Sequence, residues 1–420
     1  MIFKNNQKIL PLPFKLIKMK LFKIITLAIL LIGYDTFACT TAIISGKFTK
    51  DGRPLLWKHR DSDEINNKIM YFNDGKYAYI GLVDAKDVEG NAIWVGCNSA
   101  GFAIMNAASY NLKTDTFALK DLEGELMKQA LMECANIDEF ETFLKNHKKP
   151  MGVEANFGVI DAKGGAAYFE TNNFDYVKID VNDTRIAPMG YVIRTNYSFT
   201  GKPDEGYGYI RYIAAEDLLY YASSINDISP EYIIQNMSRS LKHGLTGVNL
   251  KEEYTNHPEE PKFVMFEDFI PRNSSAASVV IEGVKQGESP EFTTMWAVVG
   301  WPLTSVVMPV WVAGKTAPIL LLADKNNKSP LCNKALELKN KCFPIYRGNG
   351  YRYLNINVLY NGEQTGIMQQ LKPLEDTIFK KTKTKIEGWR KDGMNEKNIK
   401  NYYQELDKMV INEFQNLFNL

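Results

Sequence analysis

The most continuous apolar stretch lies near the start of the chain. Ile24 to Gly33 reads IITLAILLIG, preceded by Lys18, Lys20 and Lys23 and followed by Thr36-Phe37-Ala38. The run is too short for a bilayer span, which needs about 20 residues. A basic start, a short apolar centre and a small residue at the end predict an export signal over residues 1–38, cut after Ala38. Met19 opens a better-proportioned signal than Met1 does. Beyond it the pattern changes to short β-branched and aromatic runs separated by turn residues. TTAIISG, the turn TKDG and then RPLLWKHRD predict a β-hairpin with Cys39 at the outer end of its first strand. KIMYF (68–72), YAYIGLV (77–83), AIWVGC (92–97) and FAIMNAAS (102–109) predict further strands.

Helical spacing appears next. Leu122, Leu126, Ala130, Leu131 and Cys134 recur on one face, and Asn136 with Glu139 three residues on predicts a capped second helix. Residues 156–179 read as successive strands joined by DAKGG and TNNFD, and YVIRTNYSF (191–199) as a strand entering a loop. A helix is expected over about 209–222, then strands at 277–284 and in 293–313. Ile399, Tyr402, Tyr403, Leu406, Met409, Val410 and Phe414 give the tail an apolar helical face. Strand runs interrupted by helix runs predict an α+β protein, with stacked sheets covered by helices rather than a βαβ parallel sheet. No Gly/Ser or Pro-rich linker divides the mature region. The expected organisation is a domain over 39–362 and a C-terminal helical extension over 363–420.

Composition narrows the function. The chain is 45% hydrophobic with a formal charge of +1, so it has material for a large core and no charge excess for a nucleic acid partner. The four histidines are scattered and no CxxC pair occurs, so neither a metal nor a cofactor is expected. Export implies an oxidising compartment, in which Cys332 and Cys342 are close enough in sequence to pair.

The chemistry centres on Cys39. If the cut after Ala38 occurs, one residue offers a thiol and a free α-amine, with unperturbed pKa values of about 8.5 and about 7.7–8.0. Near neutral pH part of the amine is free base and can take the thiol proton. Such a pair performs acyl transfer without a histidine, through a thioester. An oxyanion site of backbone N–H or Asn donors is then required.

CTTAIISGKFTKDGRPLLWKHRD resembles the opening of the N-terminal-nucleophile hydrolases, in particular the choloylglycine hydrolase, penicillin V acylase and acid ceramidase-like amidase group. Segments GCNSAGFAIMNAAS, VIDAKGGAAYFET, RTNYSF and FIPRNSSAASVVIEGV are similar to later parts of that pattern. The resemblance covers about residues 39–315. It implies a four-layer αββα sandwich of two antiparallel sheets, with Cys39 as nucleophile and Asp61 orienting the amine. It also implies Asn196 as an oxyanion donor, Asn106 near that site, and Arg272 neutralising charge. Family members usually carry Arg three residues before the Asp; this chain has Lys58 there and Arg60 next to Asp61, so either supplies the charge near the thiolate. The expected substrate is a linear, non-peptide amide with an apolar acyl group, such as a bile-salt conjugate, an N-acyl amine or a penicillin side chain. Homo-oligomers occur in this fold class. Three alternatives stand beside this reading: an acyltransferase using an amine acceptor, a dipeptidase, and a non-enzymatic surface lipoprotein. Trp94, Trp296, Trp301 and Trp311 line either an acyl pocket or the ordinary core.

Overall fold

A computed structural model of the chain describes residues 38–117, 121–253 and 259–420. The export signal, Ala38 apart, lies outside the described residues. Residues 38–420 form one compact unit. Among the described residues fifteen strands run in chain order: β1 Cys39–Ile44, β2 Leu55–Asp61, β3 Asn67–Phe72, β4 Tyr79–Asp84, β5 Val95–Asn98, β6 Ala103–Ala108, β7 Ala155–Ile160, β8 Ala166–Thr171, β9 Tyr176–Asp180, β10 Tyr191–Arg194, β11 Phe263–Met265, β12 Ser275–Glu282, β13 Thr294–Val299, β14 Met308–Val310 and β15 Tyr353–Asn355. One sheet has the order β10-β1-β2-β12-β13-β14, and a second runs β3 to β9 in sequence. Every pairing in both is antiparallel. β11 and β15 form a separate ribbon.

The two sheets face each other, with β1 and β2 lying over β6 and β7. Helices α1 (Glu123–Glu133) and α2 (Ile137–Asn146) cover the outer face of the second sheet, burying Leu126, Ala130, Leu131, Phe140 and Leu144 against Phe102, Phe157 and Phe169. Asn136 caps α2, its Oδ1 accepting from the Glu139 N–H at 3.1 Å while Glu139 accepts from the Ala135 N–H at 2.9 Å. The cap satisfies one donor left open at the helix start, and the Glu139 carboxylate ties down the residue before it. Helix α3 (Tyr209–Ser224) lies against β1 and β10 on the outer face of the first sheet. The layers therefore run helix, sheet, sheet, helix, as the sequence pattern predicts. β1 is buried along its whole length, which follows from having a sheet on one side and helices on the other.

The C-terminal helices α5 (Ile367–Asp392) and α6 (Glu396–Phe418) join this same core. Trp311 stacks on Tyr403 of α6 at 5.9 Å and meets Trp389 of α5 edge-on at 5.2 Å, and its indole N–H donates to Thr294 Oγ1 at 2.8 Å. Trp296 packs on Phe379 at 4.9 Å. Trp296, Trp301 and Trp311 are core residues, fully enclosed. Trp311→Ala is expected to cost about 3–5 kcal/mol, the range for truncating a buried aromatic. A lower urea midpoint with an unchanged slope checks it.

Cys332 and Cys342 do not pair. Both lie on helix α4 (Pro330–Cys342), and both are free. A rise of about 1.5 Å per residue puts their Cα atoms far beyond disulfide reach. Sequence proximity suggested pairing only because the helix between them was not apparent. Among the described residues no helix is long and apolar enough to cross a membrane.

Candidate active site

The register of β1 on β2 sets Cys39 opposite Arg60 and Thr41 opposite Lys58. Directly opposed residues share a sheet face, and alternate residues along a strand share it too. Cys39, Thr41, Lys58 and Arg60 therefore project to one side. Tyr168 of the second sheet donates to Thr41 Oγ1 at 2.9 Å, so that side is the layer between the sheets. Thr40, His59 and Asp61 project to the other side, toward α3 and the segment before β12.

On the inter-sheet side the Lys58 ammonium is fully buried and is fixed to β6. It donates to the Asn106 carbonyl at 2.7 Å and to Asn106 Oδ1 at 2.5 Å. Burial pushes Lys58 down from 10.5 to about 8, and the Cys39 sulfur is the largest influence opposing that fall. Thiol and ammonium are thus electrostatic neighbours. Asn106 Nδ2 has no protein partner among the described residues. Arg60 is engaged elsewhere: it pairs with Asp84 at 2.9 Å, donates to Asn67 Oδ1 at 2.9 Å and stacks its guanidinium on Trp94 at 4.8 Å. Of the two cations considered from the sequence, Arg60 is committed to Asp84, whereas Lys58 donates to the neutral acceptors of Asn106.

The main chain of Cys39 is held from the helix side. Its N–H donates to Asn196 Oδ1 at 3.0 Å. Arg211, on the first turn of α3, donates to the Cys39 carbonyl at 2.6 Å, to Thr40 Oγ1 at 2.7 Å and to Asn196 Oδ1 at 2.8 Å. The Asn196 amide nitrogen spends one of its two N–H donors on the Ala108 carbonyl at 2.9 Å. In this arrangement Asn196 grips the Cys39 nitrogen through its oxygen and is tied to the end of β6 through its nitrogen. Gly208, at φ +88°, begins α3, and a Cβ there would lie 2.4 Å from Arg211 Nη2 and 2.8 Å from Thr195 Cβ. Gly208→Ala is expected to lower catalytic turnover at least tenfold while α3 stays folded, because the left-handed backbone and the guanidinium both resist a side chain. Steady-state kinetics beside far-UV circular dichroism checks it.

Asp61 closes the site at the end of β2. Its N–H donates to the Ala38 carbonyl at 3.0 Å. Ser275 donates to its Oδ1 at 2.6 Å and Arg272 Nε to its Oδ2 at 3.1 Å. Since the one Ser275 proton goes to Asp61, the 2.9 Å contact between Ser275 and His59 Nε2 has the imidazole as donor. His59 is neutral, pushed down to about 4 by burial. Arg272 is itself fixed by Trp301, whose indole donates to the Arg272 carbonyl at 2.8 Å.

All six residues singled out from the sequence gather around the head of β1: Lys58 with Asn106 on the inter-sheet side, Asn196 at the Cys39 nitrogen, and Asp61 with Arg272 alongside. Sequence reasoning missed Arg211, Ser275 and Tyr110, whose phenol feels the Cys39 charge. The glycines in GYGYIR, just ahead of an otherwise apolar helix start, were the available signal for Arg211.

No known family profile and no curated protein matches the chain. Among solved structures it is similar to a conjugated bile acid hydrolase from Clostridium perfringens (12% identity, TM-score 0.41, 65% of this chain and 92% of that one). It is also similar to the Caenorhabditis elegans ortholog of N-acylethanolamine-hydrolyzing acid amidase (13%, 0.38, 61% and 97%). Penicillin V acylase from Agrobacterium tumefaciens is a third (11%, 0.39, 65% and 86%). At TM-scores below 0.5 these likenesses assign no residue a role, and the roles that follow come from the chain's own geometry.

Proposed function

We propose that the protein is an exported cysteine amidohydrolase whose nucleophile is Cys39, freed as the first residue by removal of residues 1–38. The observation that carries this reading is the double hold on Cys39. Asn196 and Arg211 fix its nitrogen and carbonyl on one face, while the buried Lys58 ammonium, tied to Asn106, projects from the neighbouring strand on the face of the Cys39 side chain. A structural cysteine needs no such arrangement.

In this reading the α-amine takes the thiol proton and the thiolate attacks the substrate carbonyl carbon. The oxyanion draws on donors left over at the site, the Asn106 Nδ2 hydrogens and the remaining Lys58 N–H. The C–N bond then breaks, and the leaving amine takes the proton from the α-ammonium. Water attacks the thioester, releasing the carboxylic acid and returning a proton to sulfur. Asp61, neutralised by Arg272 and hydrogen-bonded to Ser275, braces the end of β2, and its N–H, which meets the Ala38 carbonyl in the uncut chain, lies beside the amine that the cut frees.

The acyl group is apolar in this proposal. Tyr110 meets Tyr207 edge-on at 5.4 Å, and Tyr207 is half-exposed with its backbone paired to Asn196 in both directions. An accessible aromatic wall beside the nucleophile suits a hydrophobic acyl chain. The test is release of amine from glycocholate, an N-acylethanolamine and penicillin V by the processed protein. Turnover of one class with a thioester on Cys39 supports the proposal. Turnover that persists unchanged in Cys39→Ala overturns it.

A further inference from the structure

We infer that Asn111 is a positioning residue for the acyl site: it binds both main-chain groups of Ser198 and both of Lys202, and so fixes how far the Tyr110 segment stands from the loop carrying Asn196 and Tyr207. That spacing sets which acyl groups the site accepts. The inference rests on the reading of Tyr110 and Tyr207 as the acyl wall and adds the residue that spaces them.

Asn111 is buried in the segment after β6 and directly follows Tyr110. Its Oδ1 accepts from the Ser198 N–H at 2.8 Å, and its Nδ2 donates to the Ser198 carbonyl at 2.9 Å. The second Nδ2 hydrogen goes to the Lys202 carbonyl at 3.0 Å, and the Asn111 carbonyl accepts from the Lys202 N–H at 2.8 Å. Ser109 donates to the same Oδ1 at 2.9 Å. Both amide hydrogens and both oxygen lone pairs are used, so the side chain has one orientation and one place. The loop closes tightly round it: a Cβ on Gly201 would lie 2.5 Å from Asn111 Cγ and Nδ2. An asparagine that only shapes a turn bonds to the main chain of its own turn. Asn111 spends its amide nitrogen on carbonyls 87 and 91 positions away.

The residues beside these anchors are aromatic. Tyr197 and Phe199 flank Ser198 and stack on each other at 5.7 Å. Tyr207 pairs its main chain with Asn196 and meets Tyr110 edge-on at 5.4 Å. Beyond Asn111 the Tyr110 segment is held by Glu154, whose Oε1 accepts from the Leu112 and Lys113 N–H groups at 2.7 and 2.9 Å. A buried polar network satisfied in this way is rigid, so the rings it carries keep their separation.

The test is acylation of Cys39 by the p-nitrophenyl esters of acetic and decanoic acid. The thiolate attacks the ester carbonyl, the C–O bond breaks and p-nitrophenolate leaves. Acid quench and peptide mass spectrometry separate Cys39 from the other thiols. The proteins are wild type, Asn111→Ala, Asn111→Asp, Gly201→Ala and the double variant of Asn111→Ala with Gly201→Ala. The readout is the ratio of decanoyl to acetyl acylation rates within each protein, which loss of folded material leaves unchanged. Wild type is expected to favour decanoyl, and each single variant to lower the ratio about tenfold. Asn111→Asp keeps the size but turns an oxygen toward two carbonyls, so it fails with the alanine variant. The double variant should lose no more than the worse single one, because both changes strike one contact. A ratio unchanged in the Asn111 variants and in Gly201→Ala overturns the inference, as do fully multiplicative losses in the double variant. Gly201→Ala carries the test should the Asn111 variants not fold. A wild-type ratio near one contradicts the aromatic wall, and absence of acyl mass on Cys39 contradicts the nucleophile; either takes the inference with it.

Discussion

Replacing Cys39 with alanine is expected to lower amide hydrolysis by about four orders of magnitude or more, the scale seen when a covalent nucleophile is deleted. Folding should survive, because the change removes only a sulfur at the head of a strand whose other residues carry the packing. Cys39→Ser is the finer variant. It keeps the shape and the main-chain contacts to Asn196 and Arg211, but an alcohol beside an amine base is a far weaker nucleophile than a thiol. A surviving stability midpoint with lost turnover in both variants separates the chemical role from a structural one.

Lys58 carries the second large effect, and it has two readouts. Removing its charge in Lys58→Met should lower kcat/KM by about 10²–10³-fold, the scale of losing one charge-stabilising donor. The pH dependence sharpens this. With the folded-state value near 8, wild-type activity should fall as pH rises past about 8, when the ammonium beside the sulfur is lost. Lys58→Arg keeps its charge throughout, so its activity should hold to higher pH. Stability should show the opposite trend. Between about 8 and 10.5 the unfolded chain binds a proton at Lys58 that the folded chain does not, so wild-type stability rises with pH across that window. The rise amounts to roughly 3 kcal/mol at 1.36 kcal/mol per unit. Lys58→Met lacks it, so the difference in urea midpoint between the two proteins should change between pH 7.5 and pH 10.5 and not between pH 6 and pH 7.5.

The periodicities showed much of the architecture. The cap at Asn136, the strands from Asn67 to Asp180 and the helix at Tyr209–Ser224 all follow from local pattern and turn chemistry. What local pattern did not give was enclosure. β1 reads as a loosely alternating strand, yet all its residues are buried, because burial on the second face comes from helices far away in sequence. Trp311 likewise shows no sign in its neighbourhood that Trp389 and Tyr403 will close over it. Site residues divided the same way. Cys39, Lys58 and Asp61 are close in sequence and in one hairpin, so a single stretch pointed to all three. Arg211 is 172 positions from Cys39, and its role depends on a helix start being brought beneath the head of β1. Nothing in its immediate sequence distinguishes it from a solvated arginine except the glycines that make room for it. Asn196 was placed at the site by its segment, but which end of its amide faces Cys39 is decided by the Ala108 carbonyl, a tertiary contact.

The central claim is that Cys39 is a free N-terminal nucleophile, and one measurement addresses it directly. The protein, expressed from the full chain, is mixed with a slowly turned-over amide or ester substrate, quenched in acid and analysed by peptide mass spectrometry. The account predicts an N-terminal peptide beginning at Cys39 and carrying the acyl mass, which hydroxylamine removes as expected for a thioester. A peptide still bearing Ala38, a diacylglyceryl mass on Cys39, or an unmodified Cys39 while substrate is being consumed would contradict it.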